Sequence, residues 1–175
     1  MDRPDASRRL FVAIMVDDAA QAALLKHRQQ WTWPHSAKLA DAATLHTTLH
    51  YFGEIAPALE ASLLRALRDV PMTAFDMRLG AGTVWGGGIA VLLVDHDDAL
   101  TRLHAAIDQV VKGLGLRPDK RSWTPHLTLA KRAQGALPPP KAADIKWRAD
   151  RFSLVWSRPA PSHGYVPIAT WQGRP

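Results

Sequence analysis

The sequence predicts an α+β fold built from one duplicated lobe, with the two copies related by a pseudo-two-fold axis. Three observations carry this. His46-Thr47-Thr48-Leu49 has a near copy in His126-Leu127-Thr128-Leu129, 80 positions on (126 − 46). Asp17-Asp18-Ala19 and Asp97-Asp98-Ala99 are also 80 apart (97 − 17), each placed to cap a helix. Each cap follows an apolar run, Leu10 to Val16 in one half and Ile89 to Val94 in the other. Each half therefore reads strand, Asp-capped helix, His-x-Thr-Leu strand. Alternating stretches beginning at Phe75 and Phe152 extend the match at a slightly shorter offset. The expected organisation is one domain over residues 1–175, with two interleaved lobes.

Taken in order, Leu10 to Val16 reads as a central strand. A helix follows to about Trp31, apolar at Ala20, Ala23, Leu24 and Trp31, and Pro34 stops it. The first motif strand ends at Gly53, and Pro57 opens a second helix striped by Leu59, Leu63, Leu67 and Val70. The second half shows no clear equivalent of this helix. Phe75, Met77 and Leu79 alternate with polar residues as a half-buried strand, after which Gly80, Gly82 and Gly86-Gly87-Gly88 mark loops. The third helix has the clearest stripe, Leu100, Leu103, Ile107, Val110, Val111 and Leu114. A basic loop, Arg117 to Pro125, delivers the second motif. Pro138-Pro139-Pro140 is a rigid connector, Phe152, Leu154 and Trp156 form a strand, and Tyr165 to Trp171 a last one, at an edge because of Pro167.

Bulk properties narrow the function classes. With 47% hydrophobic residues the chain can bury a core. It has no cysteine, which excludes disulfides, thiolate metal sites and a cysteine nucleophile. Its start is polar and its first apolar run only a strand long, so neither a signal peptide nor a membrane span is expected, and a cytoplasmic monomer is. A net charge of +6 permits a polyanionic partner such as RNA without identifying one.

The motif pair carries the chemistry. On a strand His46 and Thr48 share one face and Leu45 and Leu49 the other; His126 and Thr128 repeat this, with Leu127 and Leu129 behind. Two such strands at one cleft supply two imidazoles and two hydroxyl donors. Imidazoles titrate near neutrality and suit general acid–base work, and the hydroxyls can stabilise charge on phosphate oxygens.

The blocks Arg9-Leu10-Phe11-Val12-Ala13, Leu45 to Glu54 and Arg121-Ser122-Trp123-Thr124-Pro125-His126-Leu127-Thr128-Leu129-Ala130-Lys131 resemble the 2H (two-histidine) phosphoesterase superfamily. The likeness is to its RNA 2′,3′-cyclic phosphodiesterase branch, also called the 2′-5′ RNA ligase family, and covers nearly the whole chain. The resemblance implies a bilobal fold with two antiparallel sheets lining a central cleft and helices packed outside. It implies metal-independent, cofactor-free hydrolysis of 2′,3′-cyclic phosphate ends of RNA to 2′-phosphomonoesters, with 2′-5′ ligation as the same path run backwards. His46 and His126 match the catalytic histidines, His46 as acid at O3′ and His126 as base on water. Thr48 and Thr128 match the phosphate-binding threonines. Lys131 stands where the family usually has Arg, Trp123 where Phe is common, and His50 where the branch varies.

Four further residues are candidate substrate contacts. Strict alternation puts His50 on the face of His46 and Thr48. His46, His50 and His126 could in principle ligate zinc, but no nearby carboxylate completes the set, so no metal is expected. Trp123 could stack on a base or pack in the rim. The same alternation puts Arg132 rather than Lys131 on the cleft face, unless the strand twists or ends there. The remaining histidines read as surface or packing residues. Two other functions use the same residues: an RNA-end or nucleotide binding module without turnover, and a phosphodiesterase for small cyclic phosphodiesters or 2′-5′ oligoadenylates.

Overall fold

The computed structural model describes residues 6–117 and 121–175. The middle of the basic loop, residues 118–120, therefore lies outside the described residues, as do the first five. The strands are β1 (Arg8–Met15), β2 (Lys38–Leu39), β3 (His46–Ile55), β4 (Phe75–Trp85), β5 (Ile89–Val94), β6 (His126–Lys131), β7 (Ile145–Ala149), β8 (Arg151–Ser157) and β9 (Tyr165–Gln172). The helices are α1 (Asp18–Arg28), α2 (Pro57–Arg68) and α3 (Asp98–Gly113). The strand order is β7-β4-β5-β6-β3-β1-β8-β9, with β2 added to β6 off this path.

The centre of the sheet shows why the repeat matters. β3 and β6 are antiparallel and share one register pair, Thr47 opposite Leu127. Those two residues are 80 apart (127 − 47), so each faces its own counterpart. An antiparallel pair of equivalent residues has a two-fold axis between its members, so the pseudo-axis passes through this pair. Outward from it the equivalents are β3 and β6, β1 and β5, β8 and β4, β9 and β7. β4 follows the first half in sequence but pairs in the second lobe, and β8 completes the first. The expected likeness of the Phe75 and Phe152 strands is thus positional. The two expected sheets are thus halves of one nine-stranded sheet, four strands of its path on each side, joined at one residue pair.

The caps are as expected. Asp17 Oδ1 accepts from Ala20 N at 2.7 Å, and Asp97 Oδ1 from Ala99 N at 2.7 Å and Leu100 N at 3.2 Å. α1 ends at Arg28, short of Trp31, which still buries its ring and donates from Nε1 to His27 Nε2 at 3.2 Å. The stripes of Leu24, of Leu63 and Leu67, and of Leu100, Leu103, Ile107 and Val111 form one core with Leu10, Val12 and Ile14 of β1. Phe11 and Ala13 point the other way and pack with Val155, Met15 and Tyr165 in a small separate cluster. That second face is the cleft side.

One expectation fails locally, and one strand was not foreseen. β4 does not stop at Gly80 but runs to Trp85, its register with β5 shifting between Leu79 and Gly82. Gly82 is there for close approach: a Cβ would stand 2.5 Å from Trp31 Cζ2. β7 follows the Pro138-Pro139-Pro140 connector as a further strand; its Ile145, Trp147 and Ala149 are buried and its ladder with β4 runs from Phe75 to Leu79.

Candidate active site

Register builds the site. His46 lies opposite Met15 and Thr48 opposite Ala13, so both side chains share the cleft face. The next pair is His50 with Val12, which leaves Leu49 as an extra residue, a β-bulge. In β6, Thr128 lies opposite Val91 and the next pair is Ala130 with Ala90, which leaves Leu129 extra. The bulges recur at equivalent positions, 80 apart (129 − 49). Each reverses the alternation beyond it.

This corrects two expectations. His50 does not share a face with His46; it lies beside Val12 on the core side, is 8% exposed, and touches the cleft only at the α3 end. That also parts the pair a zinc site would have used. Lys131, not Arg132, comes to the cleft face. Arg132 turns out of the strand at φ 53°, exposed, its carbonyl accepting from Ser36 Oγ at 3.0 Å. The residue equivalent to Lys131 in the first motif is Tyr51, which lies opposite Phe11 and is 60% exposed at the cleft.

The two imidazoles are held alike. His46 Nδ1 is 2.7 Å from the Thr44 carbonyl, and His126 Nδ1 is 2.8 Å from the Thr124 carbonyl. A carbonyl accepts only, so Nδ1 carries the proton in both and Nε2 is left for chemistry. His46 Nε2 lies 2.9 Å from Thr48 Oγ1, whose hydroxyl donates to it when the ring is neutral. Phe11 and Tyr165 flank His46, with ring centroids at 4.9 and 5.3 Å. Trp85 meets His126 edge-on at 4.4 Å. Thr128 stands on the cleft face of β6, two residues beyond His126.

Electrostatics tie the halves together. Burial pushes the His46 pKa below its usual value, the Thr44 carbonyl opposes that, and the charges of His126 and Lys131 lower it further. One imidazole therefore feels two basic groups of the other motif. A cleft of about 830 Å³ is lined by Thr48, Tyr51, Trp85, Trp123, His126 and Lys131, among others; His46 and Thr128 are not in its lining.

A family model described as the 2′-5′ RNA ligase superfamily matches residues 16–160. The chain belongs to that superfamily. Its relatives include the RNA 2′,3′-cyclic phosphodiesterase of Archaeoglobus fulgidus, 28% identical over 150 residues that cover 82% of this chain and 83% of the relative. Among solved structures, E. coli LigT in its apo form superposes with a TM-score of 0.87 at 22% identity, over 97% of this chain and 99% of LigT. LigT complexed with 3′-AMP gives a TM-score of 0.87, also at 22% identity, over 95% and 98% of the two chains. The structural likeness establishes the fold.

In this member of the 2′-5′ RNA ligase superfamily, sequence reasoning missed the aromatic lining of Phe11, Tyr51, Trp85 and Tyr165, and also His104. Trp123 Nε1 donates to the Thr48 carbonyl at 3.2 Å. Its ring stacks on His104 at 3.8 Å, and His104 stacks on His50 at 4.5 Å. Burial pushes the His104 pKa to about 4, helped by the His50 charge and opposed by Asp108. Burial lowers that of His50 as well. Both rings are neutral at pH 7, so the column is an uncharged brace that fixes Trp123 behind Thr48. His104 sits four residues after Leu100, on the flank of the α3 stripe; that spacing was the available signal.

Proposed function

We propose that the protein is a metal-independent RNA 2′,3′-cyclic phosphodiesterase that opens the ring to a 2′-phosphomonoester, its two interleaved lobes acting as one domain. The observation that carries this is the matched pair of imidazoles, each anchored through Nδ1 on a carbonyl two residues upstream, with Thr48 and Thr128 on the same cleft face. All four side chains come from one chain, so the reading needs no second copy. The name of the Archaeoglobus relative supports the substrate class.

In this reading water attacks phosphorus in line with O3′. His126 Nε2 takes a proton from the water as the new P–O bond forms. The P–O3′ bond breaks, and His46 gives its Nε2 proton to the departing O3′, the order the family resemblance implies. Thr48 and Thr128 donate to the non-bridging oxygens as charge moves onto them. One water is consumed, and solvent returns the proton from His126 to His46. A 5′-hydroxyl in place of water yields a 2′-5′ phosphodiester by the same route.

The acid role demands that His46 be protonated, whereas the empty cleft favours its neutral form. A phosphate monoanion beside Lys131 offsets its charge, so substrate binding raises the His46 pKa and takes up a proton.

Product analysis on an oligonucleotide ending in a 2′,3′-cyclic phosphate, with EDTA present, tests the reading. The expected product is the 2′-monoester alone. A 3′-monoester, or turnover abolished by the chelator, would overturn it; no turnover on any cyclic phosphate, with RNA still bound, would favour the binding module.

A further inference from the structure

We infer that Lys38, paired with Lys131, forms a subsite for the phosphodiester next to the reacting phosphate of an RNA chain; this rests on the function proposed above. β2 is two residues long and stands outside the pseudo-symmetric strand path. Its register sets Lys38 directly opposite Lys131. Directly opposed residues point to the same face with Cβ atoms about 5 Å apart, and like charges so placed are destabilising. Among the described residues neither lysine forms an ion pair with a carboxylate. Register therefore places the two lysines side by side on one face, with no carboxylate partner for either among the described residues.

The surrounding bonds make this arrangement a fixed one. Ala40 N donates to the Leu129 carbonyl at 2.8 Å, the Arg28 guanidinium donates to the Ala40 carbonyl, and Ser36 Oγ donates to the Arg132 carbonyl. Lys38 lies between these ties and cannot swing its backbone away from Lys131. A bridging polyanion turns the repulsion into attraction.

Position identifies the anion. Lys131 lines the catalytic cleft and its charge reaches His46, so its ammonium serves the reacting phosphate. Lys38 is one cross-strand step further out along β6. β2 has no counterpart on the strand path of the other lobe, where the residue equivalent to Lys131 is Tyr51. The cleft thus has one cationic mouth and one aromatic mouth, and a nucleic acid backbone leaves by the first. The chain that leaves there is either the cyclic-ended strand itself or, in ligation, the strand that brings the 5′-hydroxyl.

The test compares Lys38→Ala, Lys38→Arg and wild type on a 2′,3′-cyclic mononucleotide, on a cyclic-ended oligonucleotide, and in ligation of a 5′-hydroxyl oligonucleotide. Lys38→Ala is expected to lower kcat/KM for a long substrate by on the order of fivefold more than for the mononucleotide. It should also flatten the salt dependence of the long-substrate reaction by about 0.7 in log–log slope, the value of one single-strand phosphate contact. Lys38→Arg should retain most of both. A loss confined to oligonucleotide hydrolysis assigns the subsite to the cyclic-ended strand, and one confined to ligation assigns it to the incoming strand. Equal losses on short and long substrates in every assay, or none in any, would overturn the inference. If wild type itself turns over no cyclic phosphate, the functional reading fails instead, and binding of the same oligonucleotides by anisotropy still tests the lysine pair.

Discussion

The two His-x-Thr-Leu strands are the same device set in different surroundings. Their backbones match down to the bulge, at Leu49 and at Leu129, and to the carbonyl that anchors each Nδ1, from Thr44 and from Thr124. What lies around them does not match. His46 is enclosed by Phe11 and Tyr165 and bonded to Thr48. His126 meets Trp85, and among the described residues its ring makes one hydrogen bond, through Nδ1. Beyond the bulge one strand presents Tyr51 and the other Lys131. Duplication therefore supplies two equally placed imidazoles, and their neighbours have diverged around them.

The largest effect comes from breaking either copy. His46→Ala and His126→Ala are each expected to lower kcat on a 2′,3′-cyclic mononucleotide by about 10²–10⁴-fold, the usual range for one positioned proton-transfer group. Because the two act in one step, the double variant should lose much less than the product of the single losses. A single variant that kept near-wild-type turnover would show that the copies are not partners in one reaction.

The pH profile separates their roles. As the acid, His46 must hold a proton in the free protein, and burial, with the Lys131 charge nearby, lowers its pKa. The kcat/KM profile should therefore begin to fall as pH rises through a value below 6.5, the ordinary histidine value. In kcat the same limb should move upward, because bound phosphate offsets the Lys131 charge. Lys131→Ala removes that charge, so it should raise the kcat/KM limb as well. Activity that rises rather than falls through that limb would make His46 the base and reverse the order.

The halves and the caps were legible because they are local or periodic. Asp17 and Asp97 cap helices whatever surrounds them, and an 80-residue offset survives in the sequence. The bulges were not legible, since an extra residue in a ladder belongs to the pairing of two strands and leaves Leu49-His50 and Leu129-Ala130 looking like ordinary strand. His50 was accordingly put on the wrong face, and Lys131 could not be placed. β2 has two residues and no pattern to detect. β7 is different: Ile145, Trp147 and Ala149 alternate with Lys146 and Arg148, but the run is short and follows three prolines. The aromatic lining needed the order of strands, because Phe11, Trp85 and Tyr165 come from β1, β4 and β9.

The smallest expected effect lies on the axis itself. Thr47 and Leu127 face each other there, both fully buried, yet only one is polar. Among the described residues Thr47 Oγ1 has no hydrogen-bond partner. It lies opposite Ile14 on the core side of β3, away from the cleft. A buried hydroxyl without a partner forfeits its hydration, at about 1–3 kcal/mol, whereas valine keeps the shape and carries no polar atom. Thr47→Val should therefore stabilise the fold by about 1 kcal/mol, read as a higher denaturant midpoint at unchanged m. Turnover should stay at the wild-type level, because nothing on the cleft face changes. A lower midpoint would mean that the hydroxyl is bonded, and that the joint between the two halves depends on a polar contact its counterpart Leu127 cannot supply.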